Sequence, residues 1–256
     1  MSKKVMWAFA TLCFLTAYPL ALIAEAPSDT AEVDRIVRKL DDLYRSQSSY
    51  GEVEMEIITP HWQRTLAMKV WTLGLEKTFI RITSPLKEKG VATLRIGNEM
   101  WNYLPKVNKV IKIPPSMMMS SWMGSDFTND DLVKEYSFFE DYTYRLITPE
   151  DAKEDLLYLE CSPKEGLPIV WGSIIIAVRR ADTIPVWQKY YDEKGNLMRI
   201  WNFGEVRLFS NRRVPAVMEI IPQAKEGNKT VVRYLTATFD ADIEDNVFTL
   251  RNLRSR

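Results

Sequence analysis

From Tyr50 onward, apolar and polar side chains alternate with a period of two. In GEVEMEI, Val53, Met55 and Ile57 alternate with Glu52, Glu54 and Glu56; in RTLAMKV, Leu66, Met68 and Val70 alternate with Thr65, Ala67 and Lys69. Successive side chains of a strand point to opposite faces, so the pattern predicts strands with one apolar face and one wet face. Similar runs recur as TFIRI, ATLRI, MWNYL, KVIKI, YTYRLI, LLYLEC, SIIIAVR, VWQKYY, NLMRIWNF, VRLF, VPAVMEII and TVVRYLTATF, separated by turn signals such as IGNE, DEKGN and KEGNK. No helical pattern between them is long enough for a parallel crossover. The runs therefore predict a single large antiparallel sheet, curled or closed.

Ahead of the strands the period is 3.6. The segment DTAEVDRIVRKLDDLYRS carries Val33, Ile36, Val37, Leu40, Leu43 and Tyr44 at helical spacing, with Asp34, Arg35, Arg38, Lys39, Asp41 and Asp42 between them. This predicts an amphipathic helix of about four turns, opened by Asp29 with Glu32 in a capping-box-like arrangement and ended at SQSSYG. Two later segments break the strand pattern. One is TPEDAKED, a short acidic turn or helix start. The other is PSMMMSSWMG, in which Met119, Trp122 and Met123 fall at i, i+3 and i+4 and Met118 stacks with Trp122. That spacing predicts a short helix with a continuous apolar face, and Thr128 with Asp131 reads as the cap of a second helix. Cores are normally specified by branched and aromatic side chains, whereas unbranched Met suits contact with a partner of variable shape such as an acyl chain. Methionines that simply plug the mouth of an ordinary core are the alternative.

The N-terminus changes the picture of where the chain works. Lys3 and Lys4 precede an apolar run from Val5 to Ala24, and a small-x-small site lies at Ala24-Glu25-Ala26. This is the layout of a secretory signal peptide over residues 1–26, with cleavage expected after Ala26 and Pro19 disfavouring a retained anchor. Cys13 lies mid-run behind Leu12, which does not fit a lipobox. Without residues 1–26 the chain loses Lys3, Lys4 and Glu25 from 34 basic and 34 acidic residues, so it stays close to neutral and no nucleic-acid partner is expected. Cys161, in LLYLEC, is then the single cysteine of residues 27–256, read as a small buried apolar residue.

The motifs for catalysis are missing. His61 is the only histidine and sits beside Pro60 at a strand end, where it reads as a turn residue. There is no Cys-x-x-Cys, no Gly-x-Ser-x-Gly elbow and no phosphate loop, so neither a nucleotide, a cofactor nor a metal is expected. Asp126, Asp130 and Asp131 are explained by helix capping without a substrate. The chain is expected not to be an enzyme.

Two long stretches, GNEMWNYLPKVNKVIKIP followed by SSWMGSDFTNDDL, and KYYDEKGNLMRIWNFGEVRLFSNRRVPAVMEI, resemble the LolA-like outer-membrane lipoprotein-sorting family. Phe79, Pro85, Gly97, Trp101, Tyr103 and Pro105 fall at matching spacings, and the likeness runs from about residue 30 to residue 253. The resemblance implies a mainly β fold: one incomplete antiparallel barrel of about 11 strands around an apolar cavity, covered by the N-terminal helix and a Met-rich helical lid. It further implies a periplasmic carrier of lipoprotein acyl chains or free lipid, with an inner-membrane donor and an outer-membrane acceptor. Leu66, Met68, Val70, Phe79 and Trp101 are the expected cavity wall. Met118, Met119, Trp122 and Met123 are the expected lid contacts, with Val33, Ile36, Val37, Leu40 and Leu43 on the lid helix. One departure stands out: the family's carrier has Lys-Arg-Pro before its Phe strand, the arginine holding the lid, where this chain has Gly74-Leu75-Glu76. The two rival readings are a non-carrying accessory subunit of an envelope transporter assembly and an integral outer-membrane barrel.

Overall fold

The computed structural model describes residues 29–43, 46–133 and 136–255. The expected signal segment and its cleavage site, Tyr44 and the side chain of Asp29 lie outside these described residues. The amphipathic stripe folds into α1 (Asp29–Asp42), and the two-residue alternation folds into strands. The first six are β1 (Ser48–Ile58), β2 (Gln63–Leu73), β3 (Lys77–Ser84), β4 (Ala92–Ile96), β5 (Glu99–Leu104) and β6 (Lys109–Lys112). After the short helices α2 (Asn129–Val133) and α3 (Phe138–Asp141) come β7 (Tyr142–Ile147), β8 (Leu156–Pro163), β9 (Ser173–Arg179) and β10 (Pro185–Tyr191). The last strands are β11 (Leu197–Phe209), β12 (Arg212–Pro222) and β13 (Lys229–Phe239), and α4 (Leu250–Leu253) ends the described chain.

All neighbouring strands are antiparallel, in one 13-stranded sheet of order β6-β5-β4-β3-β2-β1-β13-β12-β11-β10-β9-β8-β7. The strand count exceeds the expected 11 or so, and NLMRIWNF and VRLF join into the single long β11. Two meanders are stitched together by the pairing of β1 with β13, the first strand with the last. The sheet is open: β6 and β7 stand at its opposite ends, and residues 113–141 connect them.

The alternation does what its period requires. Val53, Met55, Ile57, Leu66 and Met68 are buried while the glutamates between them are half-exposed. They form the inner core of one half of the sheet, with Ile80, Ile82, Met100 and Trp122. The other half buries Leu159, Cys161, Ile174 and Ile176 under Val33, Ile36, Val37 and Leu40 of α1. A third cluster lies elsewhere, where Phe79, Leu94 and Tyr103 pack against Phe248 and Leu253 of the C-terminal segment. Cys161 is fully buried, and that burial, helped by Asp41 and Glu160, pushes its thiol up to about 12. It stays protonated and unreactive at neutral pH.

Helix α1 is fastened by its polar face as well as its apolar one. The carboxylate of Asp41 accepts from the Phe138 and Phe139 amides at 2.8 and 3.0 Å and from the Ser137 hydroxyl at 2.6 Å, satisfying the first turn of α3. Tyr144 on β7 donates to Asp34 at 2.8 Å, and the Arg38 guanidinium lies 3.3 Å from the Phe139 ring centroid. The position of α1 and the end of the crossing segment are therefore one unit. We expect Asp41→Ala to lower stability by about 1–2 kcal/mol, the cost of a lost helix cap, read from urea denaturation. An unchanged midpoint would mean that apolar packing alone holds the two helices together.

Candidate functional site

Between α1, the crossing segment and the inner face of the sheet lies a pocket of about 410 Å³. Its apolar lining comes from same-face positions of adjacent strands, as the register dictates: Val53 opposite Met68, Val70 opposite Ile80, and Met218 opposite Val232. Gly51 lies in the lining where β1 meets β13 next to a bulge at Glu52/Val53. A Cβ there would approach the Thr236 carbonyl oxygen to 2.8 Å, so only glycine lets the two backbones come this near. Leu40 of α1, Leu43 just beyond it, and Trp122, Phe127 and Leu132 of the crossing segment supply the roof.

One end of the pocket is polar and aromatic. Arg199 on β11 stands opposite Tyr190 on β10, and its guanidinium carbon lies 4.3, 4.5 and 5.1 Å from the ring centroids of Trp171, Tyr190 and Trp201. Its two terminal nitrogens donate to Asp131 of α2 at 2.9 and 2.8 Å, a bidentate pair with side-chain exposures of 7% and 12%. Tyr190 donates to Gln188 at 2.8 Å. Burial alone would raise the Asp131 carboxyl, but the hydrogen bonds and charge of Arg199, with the Thr128 amide and hydroxyl, outweigh it and hold the group below the usual carboxylate range. Burial likewise opposes the Arg199 charge, and Asp131 reverses that and raises it. Burial pushes the Tyr190 phenol well above its ordinary value, so it is neutral.

The crossing segment is pinned by polar anchors along its length. The Trp122 indole N–H donates to Thr93 of β4 at 3.1 Å, and Arg64 of β2 donates to the Met123 carbonyl. Asp126 and Thr230 of β13 exchange hydrogen bonds at 2.9 and 2.8 Å, and Asp131 takes Arg199. Within the segment, the amides of Asn129 and Asp130 donate to the carbonyls of Ser120 and Met118, while Thr128 and Asp131 cap each other. Among the described residues no group of three or more His, Cys, Asp or Glu side chains could hold a metal ion, and no helix is long and apolar enough to cross a membrane.

A family model described as "-like: Uncharacterized protein" matches residues 74–255. The chain belongs to that family. Among solved structures it is similar to a putative outer membrane lipoprotein-sorting protein domain from Vibrio parahaemolyticus, at TM-score 0.73 and 20% identity over 87% of this chain and 98% of the other. A DUF1329 family protein from Desulfovibrio piger gives TM-score 0.76 and 24% identity over 86% and 97% of the two chains. A LolA superfamily protein from Nitrosomonas europaea gives 0.69 and 22% over 85% and 97%. No curated protein matches. The fold is LolA-like.

Within this LolA-like fold the residues singled out by sequence divide into three groups. Met68, Val70, Trp122, Leu40 and Leu43 line the pocket. Leu66, Val33, Ile36 and Val37 are buried in the inner clusters beside it. Phe79 and Trp101 belong to the cluster with the C-terminal segment, because Phe79 alternates with the pocket-lining Thr78 and Ile80 and therefore points the other way. A wall role for these two is corrected accordingly.

The helical lid over Met118 to Met123 is also corrected. A single turn of 3-10 helix, Pro115–Met117, gives way to tight turns with Met123 and Gly124 at φ 53° and 74°. A left-handed Met123 is incompatible with a continuing helix, and a Cβ on Gly124 would sit 3.4 Å from the Arg64 guanidinium. With no helical stripe, Met118 and Met123 pack onto the inner core while Met119 is 53% exposed. Arg64, Tyr190, Arg199 and Trp201 escaped sequence reasoning, and Asp131 was legible only as a cap, since their remaining significance lies in partners far along the chain.

Removing Asp131 alone leaves Arg199 buried and unpaired. We expect Asp131→Asn to cost about 3–5 kcal/mol in urea denaturation at pH 7, and the double replacement Asp131→Leu/Arg199→Met to cost much less. Because Asp131 is depressed in the folded state, the pair's contribution is present above the unfolded carboxylate value of about 4 and is lost as pH falls through the folded value. Urea midpoints measured at falling pH below about 4 should accordingly drop more steeply in the wild type than in Asp131→Asn.

Proposed function

We propose that the chain is a periplasmic carrier that shields acyl chains of lipoproteins or lipids in this pocket for transfer towards the outer membrane. The observation that carries the reading is a largely apolar pocket of about 410 Å³ left open inside a LolA-like sheet and roofed by a loop held through a few polar anchors. Sites for small ligands have volumes of roughly 300–1,000 Å³ and combine an apolar lining with few polar groups. The need for shielding is physical: each exposed CH₂ costs about 0.8 kcal/mol, so an acylated molecule stays on its membrane unless a protein covers the chain. In this reading the chain is not an enzyme, uses no nucleotide, and receives and delivers cargo through a membrane donor and an acceptor. Residues 1–26 serve as its export signal. A non-carrying accessory role would suit a filled interior, and an integral barrel would require a closed sheet, whereas β6 and β7 are the two ends of an open one.

The test is to extract the purified protein with organic solvent, identify co-purifying lipid by mass spectrometry, and titrate the emptied protein with the neutral apolar fluorophore N-phenyl-1-naphthylamine. We expect bound lipid and saturable uptake. Val70→Trp, which places bulk in the lining, should weaken uptake by roughly tenfold or more while the protein stays folded by circular dichroism. No lipid together with no saturable uptake would exclude the carrier.

A further inference from the structure

Two donors at the polar end of the pocket have no acceptor among the described residues: Nε of Arg199 and Nε1 of Trp201, both buried from solvent. They belong to alternate residues of β11, hence to one face, and both side chains line the pocket. The Arg199 guanidinium carbon lies 5.1 Å from the Trp201 ring centroid, so the two side chains are neighbours at this end of the pocket. A buried donor left unmade is costly, and native structures satisfy nearly all of them. Neither donor atom is exposed to solvent, and the Arg199 side chain as a whole is only 7% exposed.

The charge at this end selects what can satisfy them. Both terminal nitrogens of Arg199 are committed to Asp131, so its positive charge is already matched by a carboxylate. A free fatty-acid carboxylate would bring a second anion beside Asp131 with no second cation among the described residues of the lining. A neutral carbonyl oxygen adds no charge and accepts from either donor or from both.

We infer that Arg199 and Trp201 form a subsite for the neutral carbonyl of an ester- or amide-linked acyl chain, and that the pocket prefers such chains to free fatty acids. The inference rests on the carrier reading and names its ligand class. The chain's hydrocarbon then runs along Val53, Met68, Val70 and Ile80.

The experiment is displacement of N-phenyl-1-naphthylamine from the full-length protein by dodecane, methyl dodecanoate and dodecanoate. In the wild type we expect methyl dodecanoate to displace the probe at a concentration well below that of dodecanoate. In Trp201→Phe, which keeps a ring and loses the N–H, the ester-to-alkane preference should fall by about threefold to tenfold, the worth of one hydrogen bond. In Asp131→Leu/Arg199→Met it should fall by a similar factor, since the Trp201 N–H is then the one donor of the subsite that remains. Equal ester-to-alkane ratios in wild type and both variants, or a wild-type preference for dodecanoate, would overturn the subsite while leaving the carrier intact. Failure of all three competitors and of the probe to bind would overturn the carrier reading and the subsite with it.

Discussion

An open, curled sheet with one apolar face cannot stand alone in water, and the way this chain solves that problem follows from a single pairing. Because β1 pairs with β13, the chain's first and last strands lie in the middle of the sheet, and the two free edges fall to strands that are adjacent in sequence, β6 and β7. The segment joining them has to travel from one end of the sheet to the other. Its anchors trace that route in order: Thr93 on β4, Thr230 on β13, Arg199 on β11 and finally Asp41 on α1. The roof is thus a topological consequence of the central pairing, and it needs no separate domain. The edges themselves carry Lys109, Lys112 and Arg145, charges that discourage pairing with another chain.

Covering apolar surface and leaving space beneath the cover are opposed demands. If the crossing segment were an apolar helix packed flat on the sheet, hydrophobic burial would draw it inward until the space closed, because that force is non-directional. Directional contacts behave differently. The Trp122 indole on Thr93, the Asp126–Thr230 pair and the bidentate Asp131–Arg199 pair each fix a distance and an orientation, so they set the height of the roof. A buried ion pair contributes little net stability, since desolvation offsets most of the attraction. The roof is therefore well placed without being held by a large free energy.

Local patterns carried most of the fold and little of the site. Alternation in GEVEMEI and RTLAMKV was enough to assign the buried face of β1 and β2, and the spacing of Val33, Ile36, Val37 and Leu40 was enough to place α1. Both rest on neighbours within a few residues. The cavity face of β3 was not legible in the same way, because TFIRI has large apolar residues at consecutive positions, Phe79 and Ile80, and both faces of that strand are covered, one by the pocket and one by Phe248 and Leu253. The Met-rich stretch misled for a related reason. Its i, i+4 spacing is genuine, but the Arg64 guanidinium against the Met123 carbonyl and Gly124, a contact between residues 59 positions apart, fixes a left-handed turn there. Asp131 read correctly as a capping residue through Thr128, and the same carboxylate serves Arg199, which lies 68 positions away.

The departure at Gly74-Leu75-Glu76 has a local explanation. These residues form the turn between β2 and β3, with Gly74 at φ 52° accepting no side chain without strain. Arg95 of β4 donates to the Leu75 carbonyl and to the Gly97 carbonyl at 3.1 Å, tying this turn to the next hairpin. Among the described residues the turn's hydrogen bonds run to its neighbours Gln47, Arg95 and Gly97. Near the opposite end of β2, the Arg64 guanidinium donates to a backbone carbonyl of the cover, and Glu88 at 3.3 Å and the Trp62 ring at 5.4 Å orient it. The Arg199–Asp131 pair holds the cover at the pocket's polar end, beside the two donors with no acceptor among the described residues.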